Sequence, residues 1–165
     1  MCDSLVLSQF SFGDTVYLNI DKIAQKKIQK IQNICVKFIF NIKKRDHCDY
    51  EVLRKNLGWL SMTEKRIFNG LSLLYKILKG NAPAYLKDMF TLVSEIRERN
   101  LRTSTNNIWF PNENQSAIHL KAFKNYISKV WNSLPEDIKS ASSLNTFKNK
   151  LTTGLLNKII SLPQP

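Results

Sequence analysis

The chain has 165 residues, 43% apolar and 23% charged, a balance that builds a hydrophobic core and excludes disordered and collagen-like classes. Its 25 Lys and Arg outweigh 13 Asp and Glu, giving a net charge of +12 and a pI near 9.7, which points to polyanionic partners. Uncharged runs such as Ser4 to Gly13 extend for ten residues, about half a bilayer crossing, so a transmembrane helix is excluded.

From the N-terminus, Leu5 to Tyr17 is apolar and reads as a helical segment broken at Gly13. A long helix is predicted from Asn19 to Phe40, capped by Asn19 or Asp21. Ile20, Ile23, Ile28, Ile31, Ile34, Cys35, Phe38 and Ile39 recur at spacings of three and four and form its expected core face. Lys22, Lys26, Lys30 and Lys37 fall together on the other side, with Asn33 among them and Gln25, Gln29 and Gln32 nearby. Between residues 20 and 45 eight basic side chains oppose Asp21 alone, a balance of +7 in 26 residues. This ridge and the following turn, Lys43-Lys44-Arg45, are the candidate nucleic-acid-binding residues. A solvated face that meets no anion is the alternative reading of the same pattern.

Arg45-Asp46-His47 reads as a turn between helices, with Asp46 capping the next one. That next helix, Asp49 to Leu57, turns Tyr50, Leu53 and Leu57 inward and ends at a left-handed Gly58. Ser61-Met62-Thr63-Glu64 fits a capping box that opens another helix, whose stripe of Ile67, Phe68, Leu71, Leu74, Tyr75 and Leu78 runs to Gly80. Asn81-Ala82-Pro83 turns the chain into a short helix ending near Met89.

The helical period disappears from Thr91 to Gln115, where only Asn107-Ile108-Trp109-Phe110, closed by Pro111, has strand character. A helix resumes near Ser116 or Lys121 with Phe123, Tyr126, Ile127, Val130 and Trp131, and stops at Ser133-Leu134-Pro135. Ser142 or Ser143 caps a last helix with Leu144, Phe147, Leu151 and Leu155 inside, and Pro163-Gln164-Pro165 is expected to fray. The predicted fold is therefore mainly α, a bundle of about six helices. Its regions are a basic helical part at 1–90, an irregular layer at 91–115 and a helical extension at 116–165. Trp59 and Trp131 read as core anchors, and Trp109 as partly exposed.

The pattern offers no catalytic constellation. The two histidines, His47 and His119, and the three cysteines, Cys2, Cys35 and Cys48, lack the paired spacings of a zinc site, and reduced thiols are expected. Phosphate-binding glycine loops and the G-x-S-x-G elbow are absent. Phe12-Gly13-Asp14-Thr15 resembles the aromatic-x-Asp-Asp turn of reverse transcriptases only superficially, because two-metal chemistry needs clustered carboxylates and Asp14 stands alone there. Neither enzyme activity nor a metal or other cofactor is expected. The Met-Cys-Asp-Ser start has neither a basic n-region nor a cleavage site, so the cytoplasm or nucleus is the expected location.

The order of several blocks resembles a known family. Ile28-Gln29-Lys30-Ile31-Gln32-Asn33, Arg45-Asp46-His47 and Leu57-Gly58-Trp59-Leu60 are followed by Leu73-Leu74-Tyr75-Lys76-Ile77-Leu78-Lys79-Gly80 and Ala82-Pro83-Ala84-Tyr85-Leu86. Leu101-Arg102-Thr103-Ser104 comes next. W-N-S-L-P-E-D-I-K, from Trp131 to Lys139, and S-S-L-N-T-F-K, from Ser142 to Lys148, close the series and are the most specific blocks. Together they resemble the region behind the polymerase core in jockey-like non-LTR (LINE-type) retrotransposon reverse transcriptases, over roughly Leu5 to Leu155.

That resemblance implies a thumb-like helical part and C-terminal extension that holds RNA or a primed duplex. The polymerase palm with its active-site carboxylates has no counterpart in these residues. The expected function is a non-catalytic nucleic-acid-binding fragment that contacts the RNA or DNA backbone with low sequence specificity. The alternative is a structural or protein-interaction helical domain, a decayed element without selected activity.

Overall fold

The computed structural model describes residues 2–18, 20–96, 106–109 and 122–160. The fold is mainly α, and the chain divides into two compact units, Met1–Ile67 and Phe68–Pro165.

The first unit opens with a single turn, α1 (Cys2–Leu5), and a 3-10 turn over Leu7–Ser11. The helical segment expected from Leu5 to Tyr17 forms only as short turns, and it breaks at Gly13 as expected. Gly13 takes a left-handed φ of 65°, and the chain folds back so that the Tyr17 hydroxyl lies 2.9 Å from the carbonyl oxygens of both Phe10 and Phe12. That reversal cannot propagate a right-handed helix.

The long helix, α2 (Lys22–Ile39), is capped by Asp21, whose carboxylate accepts from the Ala24 N–H at 2.6 Å. Asn19, the other cap candidate, lies outside the described residues. The buried face of α2 differs from the expected one. Gln32, Cys35 and Val36 point inward, with Ile28 half-buried beside them, whereas Ile23, Ile31, Ile34, Phe38 and Ile39 are exposed. The reason is polar. Gln32 Nε2 donates to the Leu60 carbonyl at 2.9 Å, Gln29 Oε1 accepts from the Met62 N–H at 3.0 Å, and the two glutamines bond to each other at 2.7 Å. Turning this face inward satisfies backbone groups that burial would otherwise strand.

Asp49, rather than Asp46, caps α3 (Tyr50–Asn56), accepting from the Glu51 and Val52 N–H groups at 2.9 and 3.3 Å. Its carboxylate sits one residue before the helix, where the first free N–H groups are within reach; Asp46 is too far upstream. Gly58, at φ 66°, ends α3 with the Trp59 N–H reaching back to the Arg54 carbonyl at 2.8 Å, a Schellman closure. The capping box then forms as expected: Ser61 Oγ accepts from the Glu64 N–H, and the Glu64 carboxylate accepts from the Ser61 N–H at 2.8 Å, opening α4 (Met62–Leu78). Leu7, Cys35 and Met62 make the core of this unit, with Cys2, Phe10, Ile28 and Trp59 packed around them.

In the second unit, α4 ends at Gly80 with the same Schellman geometry, and the short helices α5 (Ala84–Lys87) and α6 (Val93–Ile96) follow. α7 (Phe123–Asn132), α8 (Glu136–Lys139) and α9 (Leu144–Leu156) complete it, α9 capped by Ser143 Oγ on the Thr146 N–H at 3.1 Å. The core is aromatic at its centre. The Phe147 ring stacks on Tyr75 at 4.5 Å and on Trp131 at 5.9 Å, and the Tyr75 hydroxyl donates to the Ala141 carbonyl at 2.7 Å. Ile127, Val130, Leu151 and Leu155 fill in around these rings as their spacing predicts. The polar blocks at 97–105 and 110–121, the block Leu101 to Ser104, Phe110, Pro111, the helix starts at Ser116 and Lys121, and the Pro163–Pro165 end lie outside the described residues.

Candidate functional site

α2 carries the candidate lysines at an axial rise of about 6 Å for every four residues. Lys22, Lys26 and Lys30 are exposed, and so are Lys43, Lys44 and Arg45 of the turn. Among the described residues none of these six has an ion-pair partner. With one carboxylate, Asp46, following directly after Arg45, the positive field between Lys22 and Arg45 is uninterrupted by acid.

Lys37 behaves differently from these six. Its ammonium donates to the carbonyl oxygens of Lys43, Lys44 and Asp46 at 3.4, 2.9 and 2.7 Å, and stands 5.8 Å over the Tyr50 ring. Three donors on one cation close the turn just after Asn41, which adopts φ 51° at the end of α2. Lys37 thus acts as a strut: it fixes where the exposed Lys43, Lys44 and Arg45 sit at the C-terminal end of the ridge. No spacing rule identifies such a strut, because its partners are backbone carbonyls. Asn33, in the same band, is held by Gln29 at 3.1 Å.

Asp14 and Arg66 are both buried, and each lies within electrostatic reach of Tyr17. Burial raises the Tyr17 phenol above its ordinary range, the Asp14 charge raises it further, and Arg66 lowers it. Among the described residues no three His, Cys, Asp or Glu side chains cluster as metal ligands. Cys2, Cys35 and Cys48 are free thiols, and burial pushes Cys35 upward in pKa, with Cys2 adding to the shift.

A second polar constellation, in the other unit, gives W-N-S-L-P-E-D-I-K a physical role. It grips residues 106–109. Asn132 donates to the Ile108 carbonyl and accepts from its N–H, both at 2.8 Å, and the Trp131 indole N–H donates to the Asn106 carbonyl at 2.9 Å. Lys139 is almost fully buried and donates to Asn107 Oδ1 at 2.7 Å, the Asn132 carbonyl at 3.3 Å and Glu136 at 3.0 Å. Glu136 in turn accepts from Asn106 Nδ2 at 3.1 Å. The other edge of the segment pairs with 91–93: the Val93 N–H donates to Asn107, and Trp109 donates to Thr91, at 2.9 and 2.8 Å. Ile108 is buried as a result, and Trp109 is half-exposed as expected. Asn132 and Lys139 were invisible as a clamp in the sequence because their target lies more than twenty residues away; the lone strand-like stretch at 107–110 was the only local signal.

No helix among the described residues is long and apolar enough to cross a membrane. Compared with known proteins, the chain matches no family model, no curated protein and no solved structure.

Proposed function

We propose that this chain is a non-catalytic nucleic-acid-binding module related to the region behind the polymerase core of LINE-type reverse transcriptases. Lys22, Lys26 and Lys30 contact phosphates along one side of α2, and Lys43, Lys44 and Arg45 extend the track while Lys37 holds their turn. The observation that carries this reading is the set of exposed, unpaired cations lying on one helix and the turn after it. The order of family-like blocks from Ile28 to Lys148 supports the origin. Phosphate contacts position a backbone without reading bases, so single and double strands of any sequence are bound alike.

The test is a Lys22→Gln, Lys26→Gln, Lys30→Gln variant, titrated with an RNA single strand and a DNA duplex at several salt concentrations. Gln and Lys have similar helix propensity, so the fold survives the change. The slope of log K against log salt falls by up to about 0.9 for each lost contact on duplex and about 0.7 on single strands. A folded variant with unchanged affinity and slope would leave the ridge as a solvated face and favour a structural or protein-interaction domain.

A further inference from the structure

We infer that α2 also docks an acidic amphipathic helix of a partner protein, along the apolar seam that flanks its lysines. Ala24, Lys27, Ile31, Ile34 and Phe38 alternate at spacings of three and four, the a/d pattern of a two-helix seam, with Ile23 beside it. Among the described residues nothing fills the seam: Ile23 is 68% exposed, Ile34 60% and Phe38 74%. From Ile23 to Phe38 it runs about 22 Å, the length of about two heptads of a partner helix. Another face of α2, with Gln29, Gln32, Cys35 and Val36, is held inward, so rolling the helix to hide the seam would break the glutamine bonds to Leu60 and Met62.

Charge selects the occupant. Lys27 stands within the seam and Lys30 flanks it, with no acidic residue between Lys22 and Lys37. A second copy of this chain would bring the same lysines face to face. A lipid surface would have to accommodate the Lys27 ammonium in the middle of the apolar strip, where a helix meets it with one carboxylate. A partner helix with aliphatic a and d positions, Glu at its flanks and one carboxylate opposite Lys27 satisfies both the apolar and the charged requirements.

The probe is a designed three-heptad peptide with Leu at a and d, Glu at e and g, and one Asp placed to meet Lys27. A control peptide has Lys in place of every acid. Fluorescence anisotropy with the full chain should show the acidic peptide binding at least about tenfold tighter than the control. Ile34→Ser with Phe38→Ser should weaken that binding by about tenfold or more while leaving nucleic-acid affinity unchanged, since neither residue contacts phosphate. Lys27→Glu, which leaves the apolar seam intact, should reverse the preference between the peptides and serves if the double variant fails to fold. Equal binding of both peptides would overturn the inference. So would seam-dependent binding to phosphatidylserine vesicles, or seam-dependent dimerisation, without binding of the acidic peptide.

Discussion

The side-chain amide of Asn132 spans both backbone groups of Ile108, donating to its carbonyl and accepting from its N–H at 2.8 Å each. One residue thereby stands in for a neighbouring strand, and the 106–109 segment has partners on both edges although no full strand exists among the described residues.

Replacing Asn132 with Ala should remove both bonds at once from a buried residue. The expected loss is about 2–4 kcal/mol, the lower part of the range for two unsatisfied backbone groups. Urea unfolding measures it, and Asn132→Asp, which keeps an acceptor but no donor at neutral pH, should also be clearly destabilised.

Lys139 and Glu136 separate the contribution of hydrogen bonds from that of charge. The Lys139 side chain is 2% exposed and Glu136 48%, so their ion pair at 3.0 Å is open to solvent on one side only. Lys139→Met should cost about 1–3 kcal/mol through lost donors to Asn107 and Asn132. Glu136→Gln keeps an acceptor and should cost less than about 1 kcal/mol. Equal losses in the two variants would mean that the ion pair, not the grip on 106–109, dominates.

Among the described residues four helices close with Schellman bonds, two on glycines and two on residues that carry a side chain. Asn41 and Lys158 adopt φ 51° and 54°, with Ile42 and Ile159 donating back to Lys37 and Gly154 at 2.9 and 3.0 Å. Lys158→Gly should stabilise the protein by about 0.5–1 kcal/mol and Asn41→Gly by less, because Asn tolerates this conformation better than Lys. Thermal midpoints that fall in both variants would contradict this account.

Alkaline pH should weaken the fold in a defined window. Burial raises the Cys35 thiol above its ordinary 9.0 and the Tyr17 phenol above its ordinary 10.0, so in each case the folded state holds its proton more tightly than the unfolded state does. Stability from these groups is complete below about pH 9 and is lost as pH rises through their folded values. Unfolding free energy measured from pH 7 upward should decline past pH 9, and Cys35→Ala should flatten the earlier part of that decline.

What was legible in the sequence was local. Ser61 and Glu64, Ser143, Gly58 and Gly80 each act within one helical turn, and their residue types identify the job. The Phe147, Leu151 and Leu155 stripe, flanked by polar residues, has only one face to bury. α2 has two apolar strips, and periodicity favoured the richer one, which is the exposed one. The turn at residues 12–18, the Lys37 strut and the Asn132 clamp depend on bonds to backbone groups, for which side-chain spacing has no signature.

The polar contacts of Gln29 and Gln32 make α2 a helix whose azimuth is chosen against its own hydrophobicity. Rotating it about its axis would bury two isoleucines and a phenylalanine in exchange for Cys35 and Val36, yet the Leu60 carbonyl and the Met62 N–H would lose their amide partners. That exchange sets two alternative packings in competition, and the glutamines act as the latch between them. Greasier residues at positions 29 and 32 would therefore blur the fold rather than firm it, trading one defined rotational setting for a mixture.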